Sequence, residues 1–323
     1  MSSSVCSVEC DGDDEEMRAS NKLSTSCEQN IDHSKNDKDV SSSNAISDSI
    51  SEGTNMMHKM TMYEDTLFIS DDKLFQDSPP KEDCPICMLP MPMSTIHDVY
   101  RTAYQACCGK YICNGCVVVS NENMKKGIIK SCCELCREPP PSSMKVEMRR
   151  FKNRTKASDA EAFFMFGCGY QIGQWGKQDM DKALELWNQA AELGSAKAHF
   201  KMAIEYYQGS YVKRDMKKHK HHLQLAAIGG HDIARHQLGT MEKYEGYMDI
   251  SMKHFMIAAK AGFEDSLKEV GEGYKAGHVT KEDFASTLRA YQQSMDDMTS
   301  EERVRAASID VVMAGHVQKW RLE

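Results

Sequence analysis

Cysteine is the residue type whose spacing in this sequence points most clearly to chemistry. Of the 13 cysteines in 323 residues, nine lie between Cys84 and Cys136. A Cys-x2-Cys pair turns two thiolates toward one point, and two such pairs complete a tetrahedral zinc site. The cluster contains three such pairs, Cys84 and Cys87, Cys113 and Cys116, and Cys133 and Cys136, and one doublet, Cys107 and Cys108. We therefore predict a small zinc-stabilised domain.

Other features of the sequence favour metal binding over disulfide formation. The opening residues, MSSSVCSVECDGDDEE, have neither the positive charge nor the apolar run of a secretory signal, and no apolar run approaches the roughly 18 residues needed to span a bilayer. We therefore expect a cytoplasmic or nuclear protein without a membrane span, in which thiols stay reduced. The net charge of −8 argues against general nucleic-acid binding, because phosphate binding requires clustered positive charge.

The order of the cysteine pairs resembles that of the RING finger, here in an all-cysteine variant. In that family the first and third ligand pairs hold one zinc ion, and the second and fourth pairs hold the other. The resemblance implies two ligand sets: Cys84, Cys87, Cys113 and Cys116 for the first site, and Cys107, Cys108, Cys133 and Cys136 for the second.

The sequence departs from the RING pattern in CCGKYICNGC, where Lys110 stands in place of the usual histidine. An ammonium group has no lone pair, so Lys110 cannot be a ligand. Adjacent side chains of an extended chain point to opposite sides, so Cys107 and Cys108 can share a metal only through a turn, which Gly109 makes feasible. His97 and Cys132 remain alternatives to Cys107 as the fourth ligand.

Three further positions match residues through which RING ubiquitin ligases dock a ubiquitin-conjugating enzyme. Ile86 and Leu135 occupy the apolar positions of the first and last pairs, and Arg137 follows the final cysteine. The resemblance implies a ubiquitin-protein transferase that positions the conjugating enzyme and its ubiquitin without a covalent intermediate. Glu134, where many active ligases have proline, departs from that pattern. The alternative is a non-catalytic scaffold in which zinc only folds a protein-interaction module.

Beyond the finger, residue types recur with a period of 36. Tyr170 and Tyr206 are one such pair, and the Ala-Ala doublets at 190–191 and 226–227 are another. This pattern resembles the Sel-one-like repeat, a relative of the tetratricopeptide repeat, and implies about four antiparallel helix pairs that stack into an all-α solenoid. The family is known for assembling protein complexes, so we expect the repeats to recruit an unidentified protein substrate.

The chain therefore divides into five predicted parts. Residues 1–80, rich in serine and acidic residues, form a disordered tail because they lack the apolar residues of a core. Residues 81–142 form the α+β RING-like finger, 143–158 a basic linker, 159–298 the repeats, and 299–323 a terminal helix that caps the stack. The tract HKHH at 219–222 is expected to lie on a solvated helix face.

Overall fold

The structure, a computed structural model, describes residues 69–92 and 102–308. No helix in these ranges is long and apolar enough to cross a membrane. The elements, in chain order, are α1 (Asp71–Leu74), β1 (Thr102–Gln105), β2 (Lys110–Cys113), α2 (Asn114–Lys125), α3 (Met144–Lys156), α4 (Ala160–Gln171), α5 (Met180–Glu192), α6 (Ala196–Gln208), α7 (Met216–Ile228), α8 (Asp232–Tyr244), α9 (Met248–Lys260), α10 (Glu264–Lys275), α11 (Lys281–Met298) and α12 (Glu301–Ser308).

The finger consists of a short hairpin followed directly by a helix. Strands β1 and β2 pair antiparallel, from Thr102 opposite Cys113 to Gln105 opposite Lys110. Ile112 of β2 is fully buried and packs against Val117 of α2. The small apolar cluster that they form also includes Cys84 and Cys113, so the finger has little core apart from its thiol groups.

Helices α4 to α11 form four successive antiparallel pairs, as the solenoid prediction requires. The second helix of the first two pairs is capped by an aspartate of the 36-residue period. Asp179 accepts a hydrogen bond from the Lys182 amide, and Asp215 accepts one from the Lys218 amide. Each cap satisfies an amide that the helix itself cannot, which explains why aspartate recurs at this spacing.

Size complementarity sets the distance between the helices of each pair. A Cβ on Gly167 would lie 2.7 Å from Trp187, and a Cβ on Gly239 would lie 2.7 Å from Phe255. In the second helix pair, Ala203 takes the position of the glycine, and Leu223 takes the position of the larger aromatic residue. The larger the side chain on the second helix, the smaller the residue that faces it.

Glycines follow the second helices of the first three pairs. Gly194, Gly230 and Gly262 have φ of 88°, 84° and 104°. These angles lie in the left-handed region that glycine adopts without a steric penalty. The connection inside the third pair, residues 245–247, is shorter than the corresponding connection 209–215 of the second pair.

The finger contacts the first helix pair directly through two tyrosine hydroxyls. Tyr104 donates a hydrogen bond of 2.7 Å to Asp159, and Tyr111 donates one of 2.7 Å to Glu161. The predicted basic linker contributes α3, whose Phe151 is buried and stacks on Phe166 of α4 with ring centroids 5.5 Å apart. The segment between finger and repeats is therefore a packed helix.

The structure differs from the sequence predictions at both ends of the described region. Residues 69–80, within the predicted disordered tail, lie against the repeats, because Leu74 finds an apolar site there. The terminal helix begins near the predicted start, but α12 packs on α2 of the finger and does not cap the stack. The rest of both predicted parts, residues 1–68 and 309–323, lies outside the described residues.

Candidate metal centre and docking groove

The eight predicted ligand cysteines come together in two groups of four. Within each group the sulfur atoms all lie within 4.8 Å of one another, and the members are Cys84, Cys87, Cys113 and Cys116 in the first and Cys107, Cys108, Cys133 and Cys136 in the second. This is the crossed pairing that the RING resemblance implies. Among the described residues, no cysteine is engaged in a disulfide.

The sulfur–sulfur distances fit a zinc ion. A tetrahedral site with Zn–S bonds of about 2.3 Å places neighbouring sulfurs about 3.8 Å apart. Cys84 and Cys116 are 3.8 Å apart, Cys87 and Cys113 are 3.7 Å apart, and in the second group Cys108 and Cys133 are 3.9 Å apart. The donor set and its spacing therefore suit a structural, closed tetrahedral site.

The first and last cysteine pairs each form a backbone turn of the same type. The Met88 amide donates to the Cys84 carbonyl, and the Arg137 amide donates to the Cys133 carbonyl. Met88 and Arg137 are the residues directly after each pair, and both have positive φ, of 57° and 62°. A residue other than glycine is strained at positive φ. Because this conformation recurs directly after both cysteine pairs, we infer that the turn forms in order to bring the two sulfurs of a pair together.

The second group contains both sulfurs of the doublet, and a tight turn brings them there. The amides of Cys108 and Gly109 donate to the Gln105 carbonyl at 3.1 and 2.7 Å, and Gly109 has φ of 72°. Lys110 is exposed at the start of β2. Cys132 is not a member of the group. His97, the other alternative ligand, lies outside the described residues.

The pKa values of the thiols bear on metal binding, because a thiol must lose its proton to become a ligand. Burial raises the pKa of Cys108 to about 11 and that of Cys116 still further above its ordinary value. Cys84 behaves differently. Burial alone would raise its pKa, but the amides of Cys113 and Cys87 donate to its sulfur and bring the pKa down to about 7. The protonated thiols of Cys108 and Cys116 would release protons on becoming metal ligands, so metal binding at these groups would depend on pH.

An arginine from the end of the chain contacts the first thiol group. Arg303 of α12 donates to the Cys87 sulfur at 3.4 Å. The same guanidinium donates to the carbonyls of Leu89 and Pro90, which follow the first pair, and to that of Met298. A Cβ on Gly115 would lie 3.0 Å from Arg303, so glycine permits this close approach of α12 to α2.

A groove of about 400 Å³ lies beside the first thiol group. Its lining comes from the first and last Cys-x2-Cys pairs, from α2 and the segment after it, and from the start of α12. The lining residues are Ile86, Cys87, Cys113, Gly115, Cys116, Val119, Ser120, Asn123, Ile129, Lys130, Cys132, Glu134, Arg137, Ser300 and Glu302. Apolar and charged side chains both line the groove, and residues at the start of α12 contribute to the lining.

The structure brings together two of the three predicted docking residues. Ile86 is 41% exposed and lines the groove, as does Arg137. Leu135 is instead partly buried and packs against the finger core. Sequence reasoning missed Ser300 and Glu302, because nothing local connects them to a finger some 200 residues earlier in the chain.

The histidine tract 219–222 differs from the expected solvated face. His219 is buried, and its Nδ1 lies 2.9 Å from the Ala203 carbonyl. The rings of His199 and His222 are in contact, with their Nδ1 atoms 3.1 Å apart. Burial lowers the pKa of His199 to about 4 and that of His222 to about 3. The tract serves helix packing.

Comparisons with known proteins identify the repeats. Residues 162–195 and 196–231 match the family model of the Sel1 repeat, which confirms the predicted resemblance. Two solved structures are similar to this chain. A Sel1 repeat protein from Oxalobacter formigenes is 23% identical, with a TM-score of 0.37, and the match covers 39% of this chain and 98% of that chain. A protective antigen of uropathogenic Escherichia coli that displays an SLR fold is 22% identical, with a TM-score of 0.41, and the match covers 50% of this chain and 35% of that chain. No curated protein matches the sequence.

Proposed function

We propose that this protein is a RING-type ubiquitin ligase, in which the finger docks a ubiquitin-conjugating enzyme and the Sel1 repeats recruit the substrate. The repeats imply a role in protein–protein interaction. The observation that carries the proposal for the finger is the groove, because it joins Ile86 and Arg137 beside a crossed pair of four-thiol groups.

Two zinc ions would hold the finger together when bound, one in each thiol group, and their chemistry would be structural. The eight cysteines would be the ligands, four to each ion. All four sulfurs of a closed site are used for binding, so the metal offers no open position to a substrate. The finger therefore acts through its surface.

In the proposed reaction, an amine of the substrate attacks the thioester that links ubiquitin to the conjugating enzyme. An isopeptide bond forms, the thioester breaks, and the enzyme's cysteine leaves as a thiol. No bond to this chain forms at any step. The contribution of the finger is to restrict the thioester to geometries that favour attack.

Ile86 and Arg137 have different roles in this proposal. Ile86, with Val119 and Ile129, offers apolar contact to a loop of the conjugating enzyme. Arg137 is exposed and lines the groove, and its planar guanidinium suits simultaneous hydrogen bonding to the enzyme and to ubiquitin. Leu135 has a structural role in this proposal, because it is partly buried and packs against the apolar cluster of the finger.

A non-catalytic scaffold is the second candidate, and a specific contact favours it. Glu302 of α12 and the preceding Ser300 form one wall of the groove, and Arg303 fixes that helix to the first cysteine pair. A wall of this kind narrows the access of a folded partner. In a scaffold, the groove would serve only to join the finger to the end of the repeats.

Chain formation separates the two candidates. Purified protein is incubated with ubiquitin, activating enzyme, ATP and a panel of conjugating enzymes. We expect chains with at least one of these enzymes, and a loss of at least tenfold in Ile86→Ala and Arg137→Ala. Ile128→Ala is the matched control, because Ile128 is 67% exposed on the same finger but does not line the groove. Absence of chains with every enzyme, or equal losses in Ile86→Ala and Ile128→Ala, contradicts the ligase.

A further inference from the structure

The segment that precedes the finger lies on the repeats as a peptide would. We call residues 69–81 the lead segment. Its single helical turn, α1, packs against α7, and Leu74 is only 6% exposed. The side chain enters an apolar cluster of the second and third helix pairs that includes Ala203, Leu223, Ala226, Ala227, Ala234 and Leu238.

Polar groups of the repeats hold the same turn from outside this apolar cluster. Arg235 of α8 donates to the carbonyl of Leu74 and, at 3.0 Å, to that of Ala227. Phe75 packs against the ring of His254, with centroids 4.9 Å apart, and the Lys253 ammonium lies 5.3 Å from the centre of the Phe75 ring. The repeats therefore contact the backbone carbonyl and aliphatic side chain of Leu74 and the aromatic ring of Phe75.

A second anchor lies at the other end of the lead segment. The Lys81 ammonium donates to the Ala261 carbonyl at 2.8 Å and lies 3.7 Å from the Asp232 carboxylate. Between the two anchors, Pro79 passes close to Gly230, where a Cβ would approach it to 2.9 Å. The repeats thus contact this extended chain at two separate anchors.

The lead segment does not use all the polar groups that it covers. Asp232, Arg235 and His254 are at most 7% exposed. Among the described residues, no hydrogen-bond partner exists for Asp232 Oδ1, for Arg235 Nε or for either ring nitrogen of His254. Unpaired buried polar atoms cost free energy, so a ligand that bonded them would bind this surface better than the lead segment does.

We propose that Asp232, Arg235, Lys253 and His254 form a receptor for a linear peptide motif, and that the lead segment occupies it within the same chain. The motif is an adjacent Leu-Phe pair in one helical turn, followed by a basic residue about seven positions later. The intended partner is a protein that carries this motif and displaces the lead segment. The inference rests on the part of the proposed function that assigns recruitment to the repeats, and not on ligase activity.

The direct test uses a labelled synthetic peptide, ISDDKLFQDSPPKE, which is the sequence of residues 69–82. Fluorescence anisotropy measures its binding to the full chain and to the double variant Leu74→Ala/Phe75→Ala, whose own lead segment is weakened. A tethered segment competes at an effective concentration in the millimolar range, so we expect the wild-type chain to bind on the order of a hundredfold more weakly than the double variant.

Two controls make the result specific. The peptide with Ala-Ala in place of Leu-Phe should not bind. Lys253→Glu, added to the double variant, should weaken binding at least tenfold, whereas Lys260→Glu on the same helix should not, since both lysines are exposed and only Lys253 contacts the Phe75 ring. No binding to a double variant with an unchanged circular dichroism spectrum, or equal binding of the Ala-Ala peptide, overturns the proposal.

A measurement on the wild-type chain covers the case in which the double variant does not fold. Peptide at about 1 mM should raise hydrogen–deuterium exchange across residues 69–81, because it competes with the tethered segment. Exchange that stays unchanged at this concentration overturns the proposal. Neither assay contains a conjugating enzyme, so a failure here is distinct from a failure of the ligase.

Discussion

Replacement of Arg303 by methionine is expected to release α12 from the finger. The guanidinium makes four hydrogen bonds, of 2.6 Å to the Pro90 carbonyl, 2.8 Å to that of Met298, 3.2 Å to that of Leu89 and 3.4 Å to the Cys87 sulfur. Methionine keeps much of the apolar stem but cannot donate.

The size of the effect follows from these contacts. A hydrogen bond from a charged donor contributes about 1.5–3 kcal/mol, but contributions of one side chain are not additive and Arg303 is only partly buried. We therefore expect a loss of about 3 kcal/mol in the free energy that holds α12 on the finger. Since each 1.4 kcal/mol changes an equilibrium constant tenfold, this corresponds to a factor of about 100.

Hydrogen–deuterium exchange of residues 301–308 measures that equilibrium directly. Protection of the α12 amides should fall about 100-fold in Arg303→Met. The matched control is Arg305→Met on the same helix, whose half-exposed side chain forms a 3.4 Å ion pair with Glu122. A surface pair of this kind contributes at most about 1 kcal/mol, so protection should fall less than tenfold. Equal losses in the two variants would refute the assignment of Arg303 as the anchor.

Three further predictions concern the metal centre, the finger turn and the repeats. Cys107→Ser should lower the zinc content measured by mass spectrometry from two ions per chain to one, whereas Cys132→Ser should leave it at two. Loss of a zinc ion in Cys132→Ser would show that Cys132 is a ligand. Gly109→Ala should destabilise the protein by about 2–3 kcal/mol in denaturant titration, because its φ is 72° and its Cβ would meet Asp159 at 2.6 Å, whereas Gly127→Ala, with φ of 70° and open space, should cost about 1 kcal/mol; equal costs would exclude the close approach. His222 has a folded-state pKa of about 3, below its unfolded value near 6.5, so its protonation opposes folding and should contribute a fall in stability of about 2 kcal/mol from pH 7 to pH 5; His222→Gln should remove this contribution, and a pH profile unchanged by that substitution would contradict the neutral ring.

Local chemistry made the ligand groups and the repeats predictable. Cysteine pairs can be recognised from spacing alone because each pair forms one turn, and the structure places both members of the doublet in one group through the Gly109 turn. The period of 36 was informative because each helix pair uses the same devices, such as the Asp179 and Asp215 caps.

Contacts between distant parts of the chain were not predictable. Leu74 and Phe75 lie in a polar, acidic stretch, and their site depends on Arg235, which lies 161 residues after Leu74. Arg303 is separated from Cys87 by 216 residues. Neither periodicity nor spacing in the sequence identifies such a pair of distant residues, so neither contact could be predicted.

His219 shows a third limit. A run of basic side chains suggests a solvated face, but one position in the tract falls on the inner side of α7, where a backbone carbonyl of Ala203 is available to the ring. Composition over four residues cannot separate the buried position from its neighbours, because the decisive partner belongs to the preceding helix.

The central claim is that the finger positions a conjugating enzyme that carries ubiquitin. A single-turnover discharge experiment tests this claim most directly. A purified conjugating enzyme carrying ubiquitin as a thioester is mixed with free lysine, with or without this protein, and loss of the thioester is followed over time. We predict that the wild-type protein accelerates discharge at least tenfold. Ile86→Ala and Arg137→Ala, with two zinc ions retained, should abolish this acceleration. Discharge at the same rate with and without the wild-type protein, for every conjugating enzyme that is tested, would contradict the account.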